Sequence, residues 1–200
     1  MPQLQEHQLR VAAVAKLICQ NFDGHLNRSE VIAACLLHDM GNIIKFDLTK
    51  TQELFGSSWD KNYWQAVKRE YLAKYGSDEH RASVAIAKEL GARSTVVDLV
   101  DCVGFLEAKQ NAQTKAYENK IIQYSDDRVD PWGVVSLKQR FLDLRRRYDN
   151  HKQDTKERDE FESSLQEIEA QIFKRCRIKP EDVTNNVIKP FVEELKSFGI

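Results

Sequence analysis

Apolar residues recur every three or four positions along most of the chain, and no run alternates with the period of two that a half-buried strand requires. The pattern predicts an all-α fold, with helices at about 4–21, 29–39, 59–75, 78–90, 94–109, 114–129, 135–150, 156–176 and 182–197. Several ends carry their own punctuation. Ser29 and Ser77 are placed to accept hydrogen bonds from first-turn N–H groups, and Glu30, Asp78 and Glu79 suit the positive end of a helix dipole. Gly91 suits a left-handed stop.

From about residue 137 the apolar stripe thins to Leu137, Phe141, Leu144 and Tyr148, then Phe161, Leu165, Ile168 and Ile172, while acids and bases fill the remaining positions. This divides the chain into a core of residues 1–135 and a charged C-terminal helical extension, residues 136–200, shaped as a helical hairpin. Its stripe must pack on the core or on another chain, so a homo-oligomer formed through these helices is one expectation.

Composition narrows the function classes. The 200 residues include 30 basic and 31 acidic side chains, a net charge of −1, which provides no global field for capturing a polyanion. Bulk nucleic-acid binding is therefore not expected. Cys19, Cys35, Cys102 and Cys176 form no CxxC pair and read as reduced thiols. With no long apolar span and no basic segment leading into an apolar run, the expectation is a cytoplasmic protein that does not engage a membrane. No glycine-rich phosphate loop occurs, which closes the P-loop and dinucleotide-fold routes to nucleotide binding.

The chemistry concentrates in the segment from Val31 to Gly41, a short helix apolar nearly all round that ends in His38-Asp39 and a glycine. A helix of that kind is buried, and a buried carboxylate costs several kcal/mol of hydration, on the order of what only a cation or a good partner offsets. A metal ion answers this; a structural salt bridge is the plain alternative. On the first helix Val11, Val14, Ala15 and Ile18 mark the inner face, and His7 falls on it. His80 shares a face with Ser83, Val84 and Ala87 near a helix start, where a neutral imidazole is preferred. Ile121, Ile122, Ser125 and Val129 form the stripe that Asp126 borders, with Asp127 turned away toward solvent. Together these residues make a nitrogen and oxygen ligand set suited to Mn, Fe, Co, Ni or Zn rather than to Mg or Ca alone.

His7 in HQLRVAAVAKLI, His38-Asp39 in CLLHDMGN and Asp126 in IIQYSDDRV resemble the four ordered motifs of the HD-domain phosphohydrolases over roughly residues 4–130. The resemblance implies a helical bundle in which His7, His38, Asp39 and Asp126 coordinate one metal ion, and hydrolysis of a phosphate ester. The chain departs from the pattern at Asn42, where the family often has lysine, with Lys45 as the nearest substitute. It also offers only His80 where binuclear members carry further histidines, which favours one ion per chain.

In the mechanism this suggests, His38, Asp39 and His80 are the candidate catalytic residues, and a metal-activated water attacks phosphorus. Arg10, Lys45, Arg81 and Arg128 are the candidates for offsetting phosphate charge, Arg128 preferred because its helix position returns it to the apolar side. Trp59, Tyr63, Trp64 and Tyr71 can stack on a base, though aromatics at helical spacing are more often core. Arg145, Arg146 and Arg147 are flanked by Asp143 and Asp149 and read as a solvated face. The expected substrate is a small phosphorylated metabolite, a nucleotide before a polymer. Two alternatives stand beside it: a catalytically silent HD module with a regulatory role, and a di-iron oxygenase needing more histidines than the sequence places.

Overall fold

The computed structural model describes residues 1–49, 60–148 and 155–197. Ten α-helices carry the described fold: α1 Pro2–Asn21, α2 Arg28–Leu37, α3 Lys61–Tyr75, α4 Glu79–Glu89, α5 Ser94–Asp101, α6 Ala108–Gln113, α7 Tyr117–Asp127, α8 Leu137–Tyr148, α9 Thr155–Phe173 and α10 Asn185–Ser197. Two 3-10 turns, Asn42–Ile44 and Pro180–Asp182, and one small hairpin, β1 Val129–Asp130 with β2 Gly133–Val134, complete them. The hairpin was not expected; Asp130 makes it by accepting from the backbone N–H of Trp132 and Gly133 at 2.7 and 2.8 Å.

Helix α1 is the axis of the molecule. Proline suits its first turn, where the missing N–H has no partner to lose. Val11, Ala12, Ala13, Val14, Ala15 and Ile18 are wholly buried, and the small alanines let α2, α7 and α10 approach it closely. One continuous apolar cluster runs from Val11 to Ile188 and takes in Phe141, Phe161, Leu165, Ile168 and Ile172. The C-terminal stripe therefore packs on the core, with α9 against α6 and α7 and α10 against α1. Among the described residues no helix is long and apolar enough to cross a membrane, and all four cysteines are free thiols.

Three local expectations are corrected. The single helix over 94–109 is broken into α5 and α6, because Asn111 Nδ2 donates to the Cys102 carbonyl at 2.6 Å and Gln123 accepts from Gly104 N–H at 3.1 Å, stabilising a loop across residues 102–107. Ser29 lies inside α2, whose N-cap is Asn27, and Asp78 rather than Ser77 caps α4 by accepting from Arg81 N–H. Gly91 does stop α4 in the left-handed region, at φ 72°. Trp64 and Tyr71 on α3 pack on Ile43, Ile44 and Ala82 and buttress the turn after α2, whereas Tyr63 is exposed. Trp59 and the side chains of Arg147 and Tyr148 lie outside the described residues.

The joint between the α2 turn and α4 is closely packed. Gly41 N–H donates to Ser83 Oγ at 2.9 Å, and that hydroxyl donates to the Glu79 carbonyl at 3.0 Å. A Cβ on Gly41 would sit 2.3 Å from the Glu79 carbonyl oxygen, 2.7 Å from Ala82 Cβ and 2.9 Å from Ser83 N, two of them backbone atoms that cannot turn aside. Gly41→Ala is therefore expected to lower stability by about 1–3 kcal/mol by overpacking this joint. Urea denaturation measures it, and an unchanged midpoint would show that the two segments are free to separate.

Candidate metal centre

Three helices deliver four side chains to one point. His7 projects from α1, His38 ends α2, Asp39 follows it in the turn, and Asp126 stands in the last turn of α7. Asp126 Oδ1 accepts from both imidazoles, 3.0 Å from His7 Nε2 and 3.2 Å from His38 Nε2. Asp39 Oδ2 lies 3.5 Å and 3.7 Å from the same two nitrogens. His38 Nδ1 donates to the Cys35 carbonyl at 2.8 Å, which fixes the ring and points Nε2 into the cluster.

The residues fit a divalent ion. His7, His38 and Asp39 each offer one ligand atom within 4.8 Å of the others, and Asp126 adds an oxygen that touches both histidines. Around an ion with bonds of about 2.1 Å, neighbouring ligand atoms stand about 3.0 Å apart at a right angle and about 3.4 Å apart at the tetrahedral angle. The observed separations fall in and just beyond that range. His38 is 2 % exposed, whereas His7, Asp39 and Asp126 keep 16 %, 19 % and 22 % of their side chains open. The floor is closed and one side faces outward.

That side opens on a cleft of about 520 Å³. His38, Asp39 and Asp126 form its floor, Lys45, Asp78, Glu79 and His80 one rim, and the 102–107 loop another. The far wall comes from the C-terminal helices through Arg140, Leu144, Arg158 and Phe161, with Phe105 and Phe161 stacked at 4.5 Å between ring centroids. A larger cleft of about 720 Å³ lies between α8, α9 and residues 180–185, but none of the four clustered side chains lines it.

Without an ion, protons balance the charge. Burial opposes a charge on His38, yet Asp39, Asp126 and the bonds to Asp126 and Cys35 hold its pKa up at about 9. Burial pushes Asp126 upward, and His38 and then His7 outweigh it, leaving the carboxyl well below its ordinary range. Burial, followed by the charge of Asp126, pushes Asp127 up to about 7.

An α-helical bundle that gathers two imidazoles and two carboxylates under an open cleft defines a helical protein with a histidine–aspartate centre. The HD-domain model matches residues 4–128, and the chain belongs to the HD-domain family, whose members are generally metal-dependent hydrolases although some are inactive. No curated protein and no solved structure matches the chain significantly.

The remaining candidates are scattered. His80 lines the cleft outside the cluster, its Nε2 3.1 Å from the Asp101 carbonyl and 3.2 Å from its carboxylate. Lys45 lines the rim, 3.7 Å from Glu79. Arg10 is held by Glu6 at 2.8 Å and by the Pro131 carbonyl at 3.3 Å, and Arg81 is 85 % exposed beside Asp78; neither lines the cleft. Arg128 is corrected outright. It is buried at 3 % exposure, donates to the carbonyls of Val135, Pro180 and Val183 and to Tyr124 Oη, and so ties α7 to the C-terminal segments instead of meeting substrate. Asp127 is corrected too, being buried and accepting from Gln123 Nε2 at 2.8 Å.

An ion binding at His38 Nε2 must displace the proton held there below about pH 9. Apparent Mn affinity is therefore expected to rise about tenfold per unit from about pH 7 to about pH 9 and then level off. Chelator competition measures this, and a flat profile would mean that the ion does not take the His38 nitrogen.

Proposed function

We propose that the chain hydrolyses a small phosphate ester, a nucleotide or similar metabolite, with one divalent transition metal ion held by His7, His38, Asp39 and Asp126. The observation that carries this reading is the convergence of both Nε2 atoms and two carboxylates at one point, with His38, Asp39 and Asp126 lining an open cleft.

When bound, the ion supplies a Lewis acid that lowers the pKa of a water ligand toward neutrality and offsets charge on a phosphoryl oxygen. The side chains do the rest. The two aspartates supply the negative charge that retains a cation, and the Cys35 carbonyl keeps the His38 ring aligned. Lys45 brings positive charge to the cleft rim for the phosphate. His80, held by Asp101 and lining the cleft, is the candidate for passing a proton to the leaving group. Among the described residues, seven acidic side chains line the cleft, Asp39, Asp78, Glu79, Glu107, Asp126, Asp127 and Glu162, against the three cations Lys45, Arg140 and Arg158. That balance repels a long polyanion more strongly than a small ester.

Hydrolysis should be measured with Mn, Co or Ni, as phosphate release from nucleoside monophosphates and generic monoesters and as nucleotide products from dinucleoside polyphosphates. At least one class is expected to turn over, and Asp39→Ala is expected to lose about a hundredfold or more, since changes behind a ligand already cost roughly 10–100-fold. Equal activity in Asp39→Ala would trace the signal to a contaminant. Tight nucleotide binding with no hydrolysis of any class would make the chain a regulatory HD module instead.

A further inference from the structure

Of the cations expected to meet phosphate, only Lys45 lines the cleft, and it is half exposed and turned to Glu79. The C-terminal helices supply what is missing. On α8, Arg140 falls on the same face as Leu137, Phe141 and Leu144, so the apolar face of its own helix carries it inward. Its side chain is 14 % exposed and lines the cleft beside Asp126 and Asp127.

Its hydrogen bonding is incomplete. Nε is buried and has no hydrogen-bond partner among the described residues. The Asp127 carboxylate pairs with it as an ion pair at 3.7 Å, longer than a hydrogen bond, while the other oxygen of Asp127 already accepts from Gln123. A buried N–H without an acceptor is costly, and a guanidinium presents a planar fork matched to two oxygens of one phosphate. Arg140 Nε therefore lacks a hydrogen-bond acceptor on a side chain that lines the same cleft as Asp39 and Asp126.

We propose that Arg140, which lies outside the segment matched by the HD domain, is a phosphate-binding residue of this cleft alongside Lys45, so that the C-terminal helices complete the site. The proposal rests on the hydrolase reading above, and it names a residue that reading does not require. A purely structural role, anchoring α8 to Asp127, makes a different prediction: stability falls and phosphate affinity does not.

The test is calorimetric titration of orthophosphate into the full chain loaded with Mn, comparing wild type, Arg140→Gln and Arg140→Lys, with Mn content and thermal midpoint measured on each. Arg140→Gln is expected to weaken phosphate binding by about tenfold or more while retaining Mn, the scale of a lost charge-assisted pair of hydrogen bonds. Arg140→Lys, which keeps the charge but not the fork, should weaken it by several-fold. A folded, Mn-loaded Arg140→Gln with wild-type phosphate affinity overturns the proposal. If that variant does not fold, Arg140→Lys decides: unchanged affinity overturns the proposal and weakened affinity supports it. Wild type that neither binds orthophosphate nor hydrolyses any ester would overturn the hydrolase reading and this proposal with it. Hydrolysis by wild type, with wild-type KM in the Arg140 variants, would remove Arg140 alone.

Discussion

One carboxylate oxygen, Asp126 Oδ1, stands within hydrogen-bond reach of two imidazole nitrogens, and the rest of the molecule is arranged around that contact. Two aspartates and two histidines at the edge of a core cannot all keep their ordinary charges. In the ion-free protein the His38 proton provides the balance, and a divalent ion provides it more fully. Either way the three helices that bring these side chains together must hold their register. The alanines of α1 allow this by letting its neighbours close in, and Gly41 does so where the α2 turn meets α4.

The second constraint is that the HD segment is not the whole site. Phe141, Phe161, Leu165, Ile168 and Ile172 belong to the same apolar cluster as α1, so α8 and α9 are part of the core as well as neighbours of it. Their inner ends form the far wall of the cleft. Arg128 serves the same union from the other side, tying the end of α7 to residues 135, 180 and 183. A basic residue next to a metal-ligand candidate thus works as a clamp between segments distant in sequence.

The helices and the convergence of His7, His38, Asp39 and Asp126 were legible because both depend on local periodicity. His7 shares the face of Val11, Val14 and Ile18 whatever packs against it, and His38-Asp39 closes a helix too apolar to be exposed. What failed depended on distant partners. Asp127 looked solvated because its own helix turns it away from Ile121 and Ile122; it is buried because Gln123 and the arriving α8 cover it. The break between α5 and α6 needed Gln123 and Asn111 to meet residues 102–104, which no window of one helix reveals. Arg140 did carry a local signal, an arginine on the apolar stripe of α8, whereas Arg145, read as part of a solvated face, is paired by Glu162 at 2.8 and 2.5 Å.

The most direct measurement is X-ray absorption at the metal edge of the Co- or Ni-loaded chain, in wild type and in His38→Ala. Two imidazoles should scatter around the ion in wild type, with oxygen filling the other positions, and His38→Ala should lose one imidazole or release the ion. A spectrum with no imidazole scattering, or one unchanged by His38→Ala, would place the ion somewhere other than beneath this cleft.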